Sequence, residues 1–195
     1  MRRAILVAFA AACSARPTAR PAAPPPPPPA VQVRPAAVGP SIYELPIAMA
    51  DSKGATISLG VNAGHPTLIS MFYGSCVAAC PALIGAIGHI LDQLPPASRD
   101  DVRVLLVSFD PARDTPARLA ELVRSHRLDA RWTLAAPSEL DARTLAAVLG
   151  IRYRVVADGE FFHTSAIVTL DRDGREIARM EGLGDPGALI AALGD

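Results

Sequence analysis

The distribution of proline divides this 195-residue chain into a segment that cannot build a core and a segment that can. Eleven of its 19 prolines lie between Pro17 and Pro46, and residues 24–29 are all proline. Such a stretch forms an extended polyproline II helix without internal hydrogen bonds. We therefore assign residues 13–40 to a stiff tether and residues 41–195 to one globular domain, which is long enough to bury a sizeable core.

Charge is distributed as unevenly as proline. Residues 1–40 contain five arginines and no acidic residue, which leaves 14 basic and 19 acidic residues in 41–195. A net charge of zero without a dense basic run argues against a protein that binds nucleic acid by neutralising phosphates. No apolar run approaches the roughly 20 residues that span a bilayer. Three cysteines are also too few for a small scaffold built on disulfides.

The first 12 residues have the pattern of a secretory signal peptide. Arg2 and Arg3 precede an apolar run at 4–12, which ends in three alanines before Cys13. This ending resembles a bacterial lipobox, in which the cysteine is lipidated and becomes the mature N-terminus. An ordinary cut after the alanines fits the same residues, but lipidation is favoured because Cys13 has no other evident role. We therefore expect an exported, periplasmic lipoprotein anchored in a membrane.

Hydrophobic runs and turn signals predict the element order β-β-β-α-β-α-β-α-β-β-α for the domain. The first two strands are predicted at 43–49 and 57–59, around a turn, and buried strands at 67–72 and 102–109. The first helix is predicted to begin with Cys80 and to carry its apolar residues on one face. This order predicts an α/β fold with a mixed sheet, helices on its faces and an N-terminal β-hairpin.

The residues with the clearest chemistry follow the third predicted strand. Cys76 and Cys80 are separated by three residues, and Cys80 with Pro81 begins a predicted helix. The positive end of the helix dipole favours a thiolate at Cys80. Two thiolates select Cu(I), zinc or iron–sulfur chemistry, and the same pair can act in thiol–disulfide exchange. A purely structural disulfide is disfavoured, because closing so short a loop takes little entropy from the unfolded chain.

Two thiolates leave a tetrahedral metal site incomplete, and histidine is the usual source of a further ligand. His89 lies on the predicted helix face opposite the apolar residues, and His126 ends a helix. His65 precedes a strand. His163 is predicted to open a strand after a turn, where distant residues of a mixed sheet converge. The spacing alone does not choose among these four histidines.

Three separated motifs resemble those of the Sco/SenC family of copper-binding, thioredoxin-like proteins. The first is C-x-x-x-C-P at 76–81, and the second is V-S-F-D-P-A-R-D-T-P at 107–116. The third is F-H-T-S at 162–165, ahead of a further turn. The three motifs follow the family's order and spacing over residues 43–193.

This resemblance implies a thioredoxin-like domain at 41–195 that binds one copper ion, as Cu(I) or Cu(II), through Cys76, Cys80 and His163. It also implies delivery of that copper to the dinuclear copper centre of cytochrome c oxidase subunit II, or to another exported copper protein. A metallochaperone is favoured over an enzyme. Two alternatives stay open: a thiol–disulfide oxidoreductase with Cys76 and Cys80 as its redox pair, and a copper or redox sensor.

The charged residues of the second motif have a structural interpretation. Asp110, Arg113 and Asp114 precede Thr115 and Pro116, which are predicted to cap and begin a helix. We expect a salt-bridged turn that shapes the loop near the cysteines.

Overall fold

The computed structural model describes residues 39–76, 79–156 and 160–194. The strands are β1 (Ala48–Asp51), β2 (Thr56–Ser58), β3 (Thr67–Phe72), β4 (Arg103–Ser108), β5 (Trp132–Pro137), β6 (Tyr153–Val155), β7 (Phe161–His163), β8 (Ala166–Leu170) and β9 (Glu176–Glu181). The helices are α1 (Ala79–Gln93), α2 (Pro96–Asp101), α3 (Pro116–Ser125), α4 (Glu139–Val148) and α5 (Gly187–Gly194). The predicted signal peptide at 1–12, the lipidation site at Cys13 and the tether up to residue 38 lie outside the described residues.

Seven strands form one mixed sheet in the order β2-β1-β5-β4-β3-β8-β9. The three central strands β5, β4 and β3 are parallel, their neighbours β1 and β8 run antiparallel to them, and β9 pairs antiparallel with β8 at the far edge. β1 and β2 pair antiparallel at one edge, which confirms the predicted N-terminal hairpin. β6 and β7 pair with each other in a separate two-stranded sheet.

The central strands are buried on both faces, so alternate residues of one strand enter different cores. In β3, Leu68 and Phe72 pack in a core with residues of α1, α3 and α5. Ile69 and Met71 pack in a second core with residues of α4. The predicted arrangement of helices on both faces is therefore confirmed.

Helix α1 joins the first core through the apolar face that its sequence predicts. Leu83, Ile87 and Ile90 of α1 are buried, and so is Leu94, which directly follows the helix. No described helix is both long and apolar enough to cross a membrane.

The predicted boundary at the start of the domain is wrong, and the sequence predictions contain no helix between α1 and β4. The strand predicted at 43–49 begins only at Ala48, because Ser41 caps a 3-10 turn at Ile42–Glu44 by accepting a hydrogen bond from the Tyr43 N–H. After α1 the chain enters α2, with Pro96 at the first helical position, where the missing N–H costs nothing.

His163 ends a strand rather than opening one. It is the last residue of β7 and lies opposite Tyr153 of β6 in the antiparallel hairpin. The next strand, β8, begins at Ala166. The histidine therefore belongs to a short hairpin outside the large sheet, which we call the β6–β7 hairpin.

Candidate functional site

The two cysteines lie at the carboxyl end of β3, in the connection to α1 that we call the cysteine loop. The neighbouring parallel strand β4 ends beside it, and the Phe109 N–H donates to the Phe72 carbonyl at 2.9 Å. Cys76 follows a turn in which its N–H donates to the Tyr73 carbonyl at 3.2 Å, and Cys80 is the second residue of α1. No disulfide joins the two thiols. Carboxyl ends of parallel strands are common binding sites in α/β proteins.

Gly74 is held in the cysteine loop by both of its backbone polar groups. Its N–H donates to Oδ2 of Asp114 at 2.8 Å, and its carbonyl accepts from Arg118 at 2.9 Å. Asp114 is buried and also accepts a hydrogen bond from the Ser108 hydroxyl. Burial raises the pKa of Asp114, and the hydrogen bonds from Ser108 and Gly74 oppose that rise. The prediction that this motif shapes the loop near the cysteines is confirmed for Asp114.

Cys80 is buried, with 6% of its surface exposed, and its thiol donates to the Tyr73 carbonyl at 2.9 Å. Burial raises the pKa of Cys80 to about 12, the loss of hydration being the largest cause and hydrogen bonding to Cys76 adding to it. A helix dipole contributes about 0.3–1 kcal/mol, which is less than one pKa unit. The expected thiolate at Cys80 is therefore wrong for the metal-free protein, because burial outweighs the dipole.

The difference in burial between Cys76 and Cys80 predicts that alkylating agents react with the two thiols at different rates. In the reduced Cys13→Ser chain at pH 8, iodoacetamide is expected to modify the partly exposed Cys76 well before Cys80, since Cys80 is buried and its raised pKa keeps its thiol protonated. Trypsin releases both cysteines on one peptide, residues 54–99, and fragmentation of that peptide in the mass spectrometer measures the two rates separately. Denaturation in guanidinium should abolish the difference, and equal rates in the native protein would contradict the burial of Cys80.

Tyr73 connects the cysteine loop to the β6–β7 hairpin. Its ring is 3% exposed and meets the ring of His163 edge-on, at a centroid distance of 5.7 Å and an interplanar angle of 84°. Phe109 contacts the same histidine at 5.3 Å, and Phe161 contacts Tyr73 at 5.0 Å. The Tyr73 hydroxyl donates to Oε2 of Glu160 at 2.8 Å. Aromatic rings at the strand ends thus hold His163 on the cysteine side of the sheet.

The imidazole of His163 has one nitrogen committed to the backbone. Its Nδ1 lies 3.2 Å from the carbonyl oxygen of Thr164, which can only accept, so Nδ1 carries the proton. Nε2 then has a lone pair for a metal ion. In the described part of the chain, no three His, Cys, Asp or Glu side chains are grouped closely enough to hold a metal. His163 must therefore approach the cysteines to complete a three-ligand site.

The other three histidines lie away from the cysteine loop. His65 precedes β3, at the end opposite the cysteines and about 20 Å from them along the strand. Its Nδ1 lies 2.6 Å from Asp101. His89 is exposed, about 13 Å along α1 from Cys80. His126 follows the last residue of α3, whose first turns contact the cysteine loop.

The sequence predictions missed Tyr73, Phe109, Phe161 and Glu160 as parts of the site. Tyr73 and Phe109 each directly follow a central parallel strand, β3 and β4, and that position was the available signal. Phe161 and Glu160 belong to a hairpin whose position relative to the sheet depends on packing that no local pattern describes.

The fold and the paired cysteines define a thioredoxin-like α/β protein with a two-thiol site at a sheet edge. A model of the SCO1/SenC family matches residues 38–195. The chain therefore belongs to the SCO1/SenC family.

Relatives and solved structures agree with this assignment. The SCO1 protein homolog of Bacillus subtilis is 24% identical over 149 residues, which are 74% of this chain and 77% of that protein. A Stutzerimonas stutzeri relative is 32% identical over 59 residues, and the match spans only 29% of that protein's length.

Two solved structures share the fold. ScoI of Bradyrhizobium japonicum, solved with copper bound, is 26% identical with a TM-score of 0.62, over 75% of this chain and 93% of that one. BsSco, described as having a disulfide switch and as a member of the Sco family of cytochrome c oxidase assembly proteins, is 20% identical with a TM-score of 0.62. That match covers 77% of this chain and 91% of BsSco. The thioredoxin-like fold implied by the sequence motifs is thereby confirmed.

Proposed function

We propose that this chain binds one copper ion through Cys76, Cys80 and His163 and delivers it to the dinuclear copper centre of cytochrome c oxidase subunit II. The observation that carries the proposal is the convergence of these residues on Tyr73. The Tyr73 carbonyl accepts the Cys80 thiol, and its ring contacts His163. Burial is the main cause that raises the pKa of Tyr73, and a hydrogen bond between its hydroxyl and Cys76 adds to the rise.

The donor set suits copper in either common oxidation state. Soft thiolates of Cys76 and Cys80 favour Cu(I), and an imidazole nitrogen such as Nε2 of His163 is a good ligand for Cu(II). Both thiols must lose their protons when copper binds, so the affinity for copper rises with pH. Burial raises the pKa of Cys80, so copper has to displace its proton over a wider range of pH than it would for a thiol of ordinary pKa.

The unequal burial of the two cysteines supports a route for delivery. Cys76 is partly exposed, whereas Cys80 is buried beneath it. A thiolate of the acceptor would displace Cys76 first and Cys80 second, so that the copper ion keeps two sulfur ligands during the exchange.

The comparisons support copper as the cargo and an oxidase as its destination. The 26% identical Bradyrhizobium ScoI has copper bound, and BsSco belongs to a family of cytochrome c oxidase assembly proteins. An exported copper protein other than subunit II is the alternative acceptor that the same chemistry allows.

Export and anchoring complete the proposal. Residues 1–12 act as a signal peptide, Cys13 carries the lipid, and residues 13–40 hold the domain at 41–195 off the periplasmic face of a membrane. A Cys13→Ser variant is then expected in the soluble periplasmic fraction, and continued membrane association would contradict the lipid anchor.

Replacing His163 tests the proposed ligand set. His163→Ala is expected to lower the affinity for Cu(II) at least about 10²-fold, because each ligand of a protein metal site contributes roughly 3–4 kcal/mol. The Cu(II)–thiolate charge-transfer band should disappear with it, while Cu(I) binding changes less. Titration with absorption spectroscopy measures both. His89→Ala, which replaces an exposed histidine on α1, is the matched control, and equal Cu(II) affinity in the two variants would contradict the proposal.

Thiol–disulfide exchange is a second candidate, favoured by the hydrogen bond between the two thiols. In that reaction one thiolate attacks a partner disulfide and the other resolves the mixed disulfide, so the pair is oxidised while the partner gains two thiols. The same His163→Ala variant separates the two functions, since exchange should survive the loss of Cu(II) binding.

A further inference from the structure

One tyrosine residue contacts all three proposed copper ligands, through its backbone carbonyl, its ring and its hydroxyl. The Tyr73 hydroxyl donates to Glu160 at 2.8 Å, beside the turn of the β6–β7 hairpin. Glu160 is itself tied into that hairpin, because its carbonyl accepts the Val156 N–H at 2.8 Å. The hydrogen bond from Tyr73 thus fixes the turn end of the hairpin to the cysteine loop.

The ring of Tyr73 holds the other end of the same hairpin. It contacts Phe161 at 5.0 Å and His163 at 5.7 Å. These are alternate residues of β7, so their side chains point to the same face of the strand. Contacts between aromatic rings at such distances add about 0.5–1.5 kcal/mol to the stabilisation from burial alone. Ring and hydroxyl together span β7 from its first residue to its last.

Tyr73 also contacts both thiols. Its backbone carbonyl accepts the Cys80 thiol at 2.9 Å, and its hydroxyl hydrogen-bonds with Cys76 as well as with Glu160. The side chain is almost completely buried, so it cannot leave this position without disrupting the core beneath it.

We propose that Tyr73 is a positioning residue of the copper site, whose hydroxyl, bound to Glu160, holds the His163-bearing hairpin beside the cysteines. The inference rests on the proposed function, because it concerns how the third ligand is brought to the other two. Because the hairpin is already held beside the cysteine loop, only a local movement of His163 is needed to complete the copper site, and less conformational freedom is lost on binding. Partners that orient a metal ligand typically contribute about 10–100-fold to metal affinity.

The first test needs no metal. In the full metal-free chain, Tyr73→Phe keeps the ring and removes the hydroxyl, so hydrogen exchange of the amides at 161–163 is expected to accelerate about tenfold or more. Glu160→Ala should do the same, and Glu160→Gln should do so less, because its amide oxygen still accepts. Tyr153→Phe is the matched control: its ring lies in the same aromatic cluster, and its buried hydroxyl has no hydrogen-bond partner among the described residues.

The second test follows copper binding in the same variants. Cu(II) affinity is expected to fall about 10–100-fold in Tyr73→Phe and Glu160→Ala, and less in Glu160→Gln. Cu(I) affinity, which depends mainly on the thiolates, should change less than Cu(II) affinity. The inference is overturned if Tyr73→Phe matches Tyr153→Phe in exchange or in Cu(II) affinity.

The two proposals fail in different ways. If the proposed function is wrong, Cu(II) affinity of the parent chain does not depend on His163, whatever Tyr73 does to the hairpin. If only the inference about Tyr73 is wrong, the dependence on His163 remains and the Tyr73→Phe variant behaves like its control.

Discussion

Replacing Gly74 by alanine is expected to lower the free energy of unfolding by about 2–4 kcal/mol, because overpacking and a displaced buried hydrogen bond both contribute. A Cβ at this position would overlap the carboxylate of Asp114 and lie 2.9 Å from Cδ1 of Leu122. Neither neighbour can move away easily. Asp114 also accepts a hydrogen bond from Ser108, and Leu122 is buried in the first core. For a domain of this length the melting temperature should fall by roughly 5–15 °C.

Gly85→Ala is the matched control for this substitution. Gly85 is an exposed residue of α1, and a Cβ there would meet no atom within 4 Å. Alanine is favoured over glycine inside a helix by about 0.8–1 kcal/mol, so this variant should be slightly more stable than the parent. Calorimetry of both variants separates the effect of crowding from that of losing a glycine. An unchanged melting temperature in Gly74→Ala would contradict the close packing of Asp114 against the cysteine loop.

Cys76→Ser and Cys80→Ser are each expected to lower the affinity for Cu(I) at least about 10²-fold, since one of two thiolate ligands is lost. Serine has nearly the volume of cysteine, and in Cys80→Ser the new hydroxyl could still donate to the Tyr73 carbonyl as the thiol does. The melting temperature of the metal-free variants should therefore change little. Competition with a Cu(I) chelator of known affinity measures the loss. Full Cu(I) affinity in either variant would contradict a two-thiolate site.

The two cysteine variants should also differ in the rate at which they transfer copper to an acceptor. Cys76 is the exposed ligand, so its loss removes the position that an incoming thiolate attacks first. At equal affinity for copper, the rate of copper transfer to a dithiol acceptor should be lower for the Cys76→Ser variant than for the Cys80→Ser variant. Stopped-flow transfer to a synthetic dithiol peptide measures this, and equal rates would argue against ordered displacement.

The strands and helices of the large sheet could be predicted because each has a strong local pattern. β3 and β4 are short, buried runs rich in apolar residues, and α1 has its apolar residues at helical spacing. Thr115 and Ser138 cap α3 and α4 as their sequences predict. The strand predicted at 43–49 starts too early, because the Ser41 cap and Pro46 interrupt an apolar run that otherwise fits a strand.

The protonation state of Cys80 and the contacts of His163 could not be predicted from local sequence patterns. The position of Cys80 at a helix N-terminus favours a thiolate, but its pKa is set by burial under residues that are distant in sequence. The third motif is enough to identify His163 as a candidate ligand. The ring contact between His163 and Tyr73 could not be predicted in the same way, because it joins β7 to the end of β3 across 90 residues of chain. Such contacts depend on the packing of the hairpin against the sheet.

Copper K-edge X-ray absorption of the chain loaded with one equivalent of Cu(I), beside the His163→Ala variant, tests the central claim most directly. The account predicts two sulfur ligands and one nitrogen ligand in the parent chain, with the nitrogen scattering lost in the variant. A copper ion held by sulfur alone in both proteins, or a nitrogen signal that survives the substitution, would contradict the assignment of Cys76, Cys80 and His163 as the ligands.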